Sequence, residues 1–190
     1  MDPSTYQPGS PYFRKLRELL AAAKGMAQLH NAIVNAPFHE LRHTTHLDLG
    51  IIVLLLVNQK DGTIDRTALS DTDAAHGAVR MSEKPFAQIR IPASHSSNII
   101  ARAIADGKPH STSDWKYLFV PALTSQAARF NQAGAGIECS QVYPLQAGDG
   151  GALIFSFFQP HSNLGAEHVT FMKTYSEMVS EALRTLRPSA

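Results

Sequence analysis

Apolar positions recur at helical spacing near both ends of the chain and at strand spacing between them. From Tyr12 onward, Leu19, Ala22, Met26, Leu29 and Ile33 keep a 3-4-3-4 rhythm, and Phe13, Leu16, Leu20 and Ala23 widen the stripe. One helix is expected over 12–35, ending before Pro37. Met172, Tyr175, Val179, Ala182 and Leu186 repeat the rhythm and predict a last helix over 165–186. The block 49–57 is apolar apart from Gly50 and β-branched at Ile51, Ile52 and Val53, so it reads as a central strand buried on both faces. Asp61-Gly62 signals a hairpin turn, with a second strand over 63–69. Further on, a short helix is expected near 73–81, capped by Asp71 or Asp73. Another is expected over 95–106, capped by Ser94 and closed by Gly107, and then an extended piece over 109–113. Residues 114–121 read as a loop, and 125–132 as a helix ended by Gly134 and Gly136. Ile137, Cys139, Tyr143 and Leu145 alternate on one strand face, Gly148-Asp149-Gly150-Gly151 turns the chain, and 152–159 returns. Residues 1–11, with Pro3, Pro8, Gly9 and Pro11, read as a disordered tail.

Hairpins dominate the strand connections, so the class is α+β with a mostly antiparallel sheet. The two end helices cover one face, and the short middle helices and loops cover the other. With 190 residues and 44% hydrophobic content, one domain over 12–188 is expected, its sheet region spanning 49–159. Seventeen basic against sixteen acidic residues leave a net charge of +1, which argues against a nucleic-acid partner. The longest apolar run is nine residues, against ~20 for a bilayer span, so no membrane insertion is expected. A single cysteine, Cys139, and the lack of a basic-then-apolar start point to a reducing, cytoplasmic setting.

The segments 49–69, 97–114 and 136–158 together resemble a GAF domain, the small-molecule sensor module of signalling proteins. The residues that carry the likeness are Ala105-Asp106-Gly107-Lys108-Pro109 leading to Ser113-Asp114, and Gly136-x-x-Cys139-Ser140 leading to Pro144-Leu145 before the glycine hairpin. The resemblance implies a pocket between the sheet and the middle helices, a homodimer formed through the terminal helices, and a signalling output domain or partner protein. Little chain follows Leu186, so a stand-alone protein or an excised sensor segment is expected. Departures narrow the ligand. Asn58-Gln59-Lys60-Asp61 lies in a turn and matches the cyclic-nucleotide set poorly. Cys139 lacks a neighbouring histidine for bilin attachment, and one cysteine cannot run the dithiol cycle of GAF-type methionine sulfoxide reductases within a chain. The cofactor is left open.

Trp115, Tyr117 and Phe119 fall where the resemblance places a pocket lid, beside Asp114; the plainer reading is that they plug the sheet as core. Gln141 is the one polar side chain on the Cys139/Tyr143 face and needs a partner if buried, either a ligand or a backbone group or water. Cys139 reads as a small core residue rather than a reactive thiol, or as a ligand contact. His95 precedes a helix whose N-terminus could face an anion, or it is simply solvated. A rival signal is His39-Glu40-Leu41-Arg42-His43, the zincin spacing, with His46 as a possible third ligand. On a helix, both imidazoles would share a face and Glu40 would act as general base. Against it stand Pro37, the pair Thr44-Thr45 and the strand that follows closely. The expectation is therefore a non-catalytic GAF-like sensor. A zinc-dependent hydrolase and a ligand-free dimerisation module are the alternatives. The two apolar stripes of the first helix, which cannot both face one sheet, favour the dimer.

Overall fold

The structure, a computed structural model, describes residues 5–41 and 46–186. Six strands, β1 (Leu49–Asn58), β2 (Thr63–Leu69), β3 (Arg90–Pro92), β4 (His110–Thr112), β5 (Cys139–Leu145) and β6 (Gly151–Phe157), form one sheet. Their order is β3-β2-β1-β6-β5-β4, and every pairing is antiparallel. The apolar block sits in the middle of the sheet, as its two-sided burial requires. Ile52 and Leu54 enter one core, while Ile51, Val53 and Leu55 enter the other.

Among the described residues the helices are α1 (Pro11–Ala21), α2 (Met26–His39), α3 (Asp73–Arg80), α4 (Ile99–Asp106), α5 (Lys116–Phe119), α6 (Ser125–Ala135) and α7 (Ala166–Leu186). Helices α1, α2 and α7 cover one face of the sheet around Phe155, Phe157, Phe171 and Tyr175. Helices α3–α6 cover the other around Ile100, Trp115, Leu118 and Phe119.

The expected first helix is two helices. The helix breaks before Met26, where Gly25 is fully extended, so Phe13, Leu16 and Leu20 enter the core from α1 and Leu29 and Ile33 from α2, while Ala22 between them is exposed. This removes the argument for a dimer that rested on a single over-wide stripe. Nor does Pro37 end α2; it lies inside it. Proline has no N–H, so the Ile33 carbonyl loses its regular helical donor. The buried Tyr175 hydroxyl of α7 donates to that carbonyl at 2.6 Å and ties the two helices together.

The tail reading fails for the described residues before α1. Tyr6 is buried edge-on against Tyr12 and Phe171, with ring centroids 5.3 Å away in each case. Ser10 caps α1 by accepting from the Phe13 N–H. Proline and glycine mark an irregular backbone, but one large aromatic is enough to dock it.

Other boundaries move by local chemistry. Thr72, not an aspartate, caps α3, its hydroxyl also donating to the Gly50 carbonyl. Asn98 rather than Ser94 caps α4, so the helix starts at Ile99. Residues 114–121, expected as a loop, contain the single turn of α5. Helix α6 runs through Gly134 to the left-handed Gly136, because Gly134 meets Gly77 of α3 where a Cβ would strike backbone. Ile137 precedes β5 and packs on the α3–α6 side, apart from Cys139, Tyr143 and Leu145.

Candidate functional site

The residues singled out from the sequence do not share one recess. Trp115 and Phe119 are buried on the α3–α6 side, with ring centroids 5.5 Å apart and nearly perpendicular planes. The Trp115 indole N–H donates to Ser140 Oγ at 2.9 Å, and Ser140 pairs with Ser156 at 2.8 Å, so the ring is pinned to the sheet. Tyr117 is 46% exposed and points away, under the Lys116 ammonium. Asp114 holds Arg129 through two bonds of 2.8 and 3.0 Å. Burial works against its carboxylate, but Arg129 and the Lys116 N–H outweigh it and its pKa is lowered. His95 sits in the turn before α4, near Ser97.

Cys139 and Gln141 face the opposite core, among the residues of α1, α2 and α7, as alternation along β5 requires. The Cys139 thiol donates to the Gln159 carbonyl, and burial pushes its pKa up to about 11. Gln141 finds a protein partner, the His161 ring, at 2.9 Å.

The zinc alternative gains no support among the described residues. Helix α2 ends at His39, and the Ala36 carbonyl accepts from both Glu40 and Leu41 to close it. The His-Glu-x-x-His stretch therefore begins where the helix stops; His43 lies outside the described residues. His46 lies 3.3 Å from the Tyr6 hydroxyl and 4.0 Å from Glu167. No group of three or more His, Cys, Asp or Glu side chains among the described residues is placed to hold a metal.

A residue that the sequence pattern does not single out stands out instead. Arg66 of β2 lies opposite Leu55, on the α3–α6 face. A bulge between the pairs Leu54↔Ala68 and Leu55↔Arg66 leaves Thr67 unpaired, so Ala68 turns to the other core while Arg66 stays on this side. The guanidinium carbon lies 4.2 Å from the Phe86 ring centroid and 4.9 Å from that of Phe119. Its Nε is shut off from solvent with no acceptor. Burial pulls its pKa well below the usual guanidinium range, to about 9. The available signal is an arginine two positions from the inward Ile64, where strand alternation points it inward too.

Two loops meet beside these rings. Thr124 N–H donates to Glu83 at 3.1 Å, and Lys84 Nζ donates to the Ala122 carbonyl at 2.6 Å. Between them runs an open groove of about 660 Å3 lined by Glu83, Lys84 and residues 120–125, which flank Phe86 and Phe119 in the chain. Asn98, 1% exposed, holds one loop in place by donating to the Leu118 and Val120 carbonyls while capping α4. A narrower, more apolar groove of about 340 Å3 lies between α1 and α7, lined among others by Leu20, Ala23, Met178, Ala182 and Leu186.

No family model matches the sequence, and no curated protein matches it. Solved structures do. The chain superposes on the GAF domain of an Acinetobacter phosphoenolpyruvate-protein phosphotransferase with a TM-score of 0.61 and 8% identity, covering 90% of each chain. It matches residues 122 to 287 of a methyl-accepting chemotaxis protein at 0.59 and 12% identity, covering 90% of this chain and 96% of that one. A third match is free methionine-R-sulfoxide reductase from Neisseria meningitidis, in complex with its substrate, at 0.58 and 12% identity over 92% and 87%. Such low identities establish architecture: the chain has the GAF fold. Among the described residues, no helix is long and apolar enough to cross a membrane.

Proposed function

We propose that this chain is a non-catalytic sensory or regulatory domain that takes up a small molecule on the face covered by α3–α6. The resulting change passes through the sheet to α1, α2 and α7, and from there to an output domain or partner. The observation that carries this reading is an open groove lined by Glu83, Lys84 and residues 120–125, next in the chain to Phe86 and Phe119, whose rings flank the Arg66 guanidinium. The fold likeness to a segment of a methyl-accepting chemotaxis protein and to a domain of a putative two-component sensor histidine kinase supports it. The reductase neighbour keeps enzymes in view. Here, however, the one cysteine is buried with its thiol pKa raised, so it is a poor nucleophile. The apolar groove between α1 and α7 supports a homodimer through those helices, which light scattering on the eluted protein would measure directly.

Trp115 is the only tryptophan and touches Phe119, so its emission reports on this face. Native mass spectrometry of freshly purified protein, with Trp115 fluorescence on adding fractionated metabolites, tests the reading. A small-molecule adduct whose removal changes the emission is expected. Bare polypeptide, and no change with any fraction, would instead favour a dimerisation module without a ligand.

A further inference from the structure

Arg66 is a cation without a counter-ion. Among the described residues it makes no hydrogen bond or ion pair; its close neighbours are the rings of Phe86 and Phe119. Rings attract a cation but do not accept the in-plane N–H groups of a guanidinium. Carboxylates on nearby elements are engaged: Asp65 with Arg90 and Thr63, Glu83 with the Thr124 N–H. Nε is sealed, whereas the two Nη atoms, also without partners, keep solvent contact. Phe119 is fully buried and Phe86 only partly, so the opening is on the Phe86 side. A fixed, partly desolvated fork with its donors unused is what a bidentate oxyanion site requires.

We propose that Arg66 is the anion-recognising residue of this face, and that the small molecule it takes carries a carboxylate or phosphate group seated on the Arg66 fork at the edge of Phe86. This rests on the sensory reading above and narrows its ligand class. The oxyanion supplies the acceptors that the protein withholds, and Phe86 is the flap it must pass. Coupling to the rest of the fold runs through β2, whose bulge follows Arg66, and through Phe119 to Trp115.

Thermal melting and Trp115 emission of the intact chain, in sodium acetate, sodium phosphate or sodium chloride at equal ionic strength, test the proposal. In wild type, acetate or phosphate at tens of millimolar raises the melting temperature over chloride by roughly 2–5 °C. Acetate alone doing so points to a carboxylate ligand, phosphate alone to a phosphoryl one. R66M abolishes the difference, and R66K, which keeps the charge but not the fork, retains less than half of it. An equal anion effect in R66M, or none in wild type, overturns the proposal. If wild type shows no anion effect yet still yields a neutral adduct by native mass spectrometry, the ligand class is wrong and the sensory reading stands. Should R66M fail to fold, the side-chain Nε–Hε resonance of Arg66 in wild-type protein decides: it moves on acetate or phosphate titration if the proposal holds, and stays fixed if it does not.

Discussion

The contact between Tyr175 and the proline inside α2 permits a sharp test of how the terminal-helix layer is held. Pro37 removes the N–H that would serve the Ile33 carbonyl, and Tyr175 replaces it with a hydroxyl at 2.6 Å in a site closed to solvent. Tyr175→Phe deletes one oxygen and strands that acceptor. Leaving a buried carbonyl unpaired costs about 1–3 kcal/mol, and the space vacated is too small to add a large cavity term. For a chain of this length, that corresponds to a fall in melting temperature of roughly 2–10 °C. The cause can be isolated with Pro37→Ala, which restores a backbone donor to the same carbonyl. Urea unfolding of wild type, both single variants and the double variant forms a closed cycle. Tyr175→Phe is expected to cost about 2 kcal/mol in the wild-type background and under about 0.5 kcal/mol in the Pro37→Ala background, a coupling near 1.5 kcal/mol. An equal cost in both backgrounds would refute the reasoning, since it would show that the hydroxyl does not stand in for the missing N–H.

Other expectations concern the opposite face and the rim. Asn98→Ala removes the α4 cap and strands the Leu118 and Val120 carbonyls, so a loss of about 2–4 kcal/mol is expected in urea unfolding, accompanied by a change in Trp115 emission. Gly77→Ala would drive a Cβ into the Gly134 carbonyl oxygen, where only backbone could give way. Overpacking there is expected to outweigh the helix-propensity gain of about 1 kcal/mol and leave a net loss of roughly 1–3 kcal/mol in calorimetry, whereas a gain would mean α3 and α6 part freely. His168 accepts the Gly165 N–H at Nδ1, and burial lowers its pKa below the usual 6.5. The unfolded chain therefore takes the proton first, and this contribution is complete above pH 6.5 and lost as pH falls through the lowered value. Urea midpoints measured from about pH 7.5 to 5 should decline in wild type and decline less in His168→Gln.

Where one periodicity dominates, the fold is legible in the residues. The 49–57 block could be nothing but a central strand, and Thr63–Leu69 falls where the Asp61-Gly62 turn places it. The α+β class follows from those hairpins, and the likeness to GAF domains holds at the level of architecture. Sequence and structure part where a long-range contact overrides a local signal. Pro37 reads as a stop because nothing nearby in sequence shows a tyrosine about 140 residues later serving the abandoned carbonyl. Tyr6 reads as tail because its partners Phe171 and Tyr12 lie on helices, one of them at the far end of the chain. The site is legible only in part. Trp115 and Phe119 belong to the right face, but Cys139 and Gln141 join them only if the β5 apolar face looks toward the middle helices, and it looks the other way. Arg66 carries a signal in its two-residue spacing from the inward Ile64, but nothing in the sequence shows that the rings of Phe86 and Phe119, 20 and 53 positions further on, are its neighbours there.

In the function proposed above, the α3–α6 face, and not the terminal-helix layer, receives the ligand. Amide hydrogen exchange on wild-type protein, before and after adding the metabolite fraction that changes Trp115 emission, addresses it most directly. Slowed exchange concentrated in residues 83–89 and 114–125 is the predicted result. Protection confined to α1 and α7, or none anywhere, would contradict it.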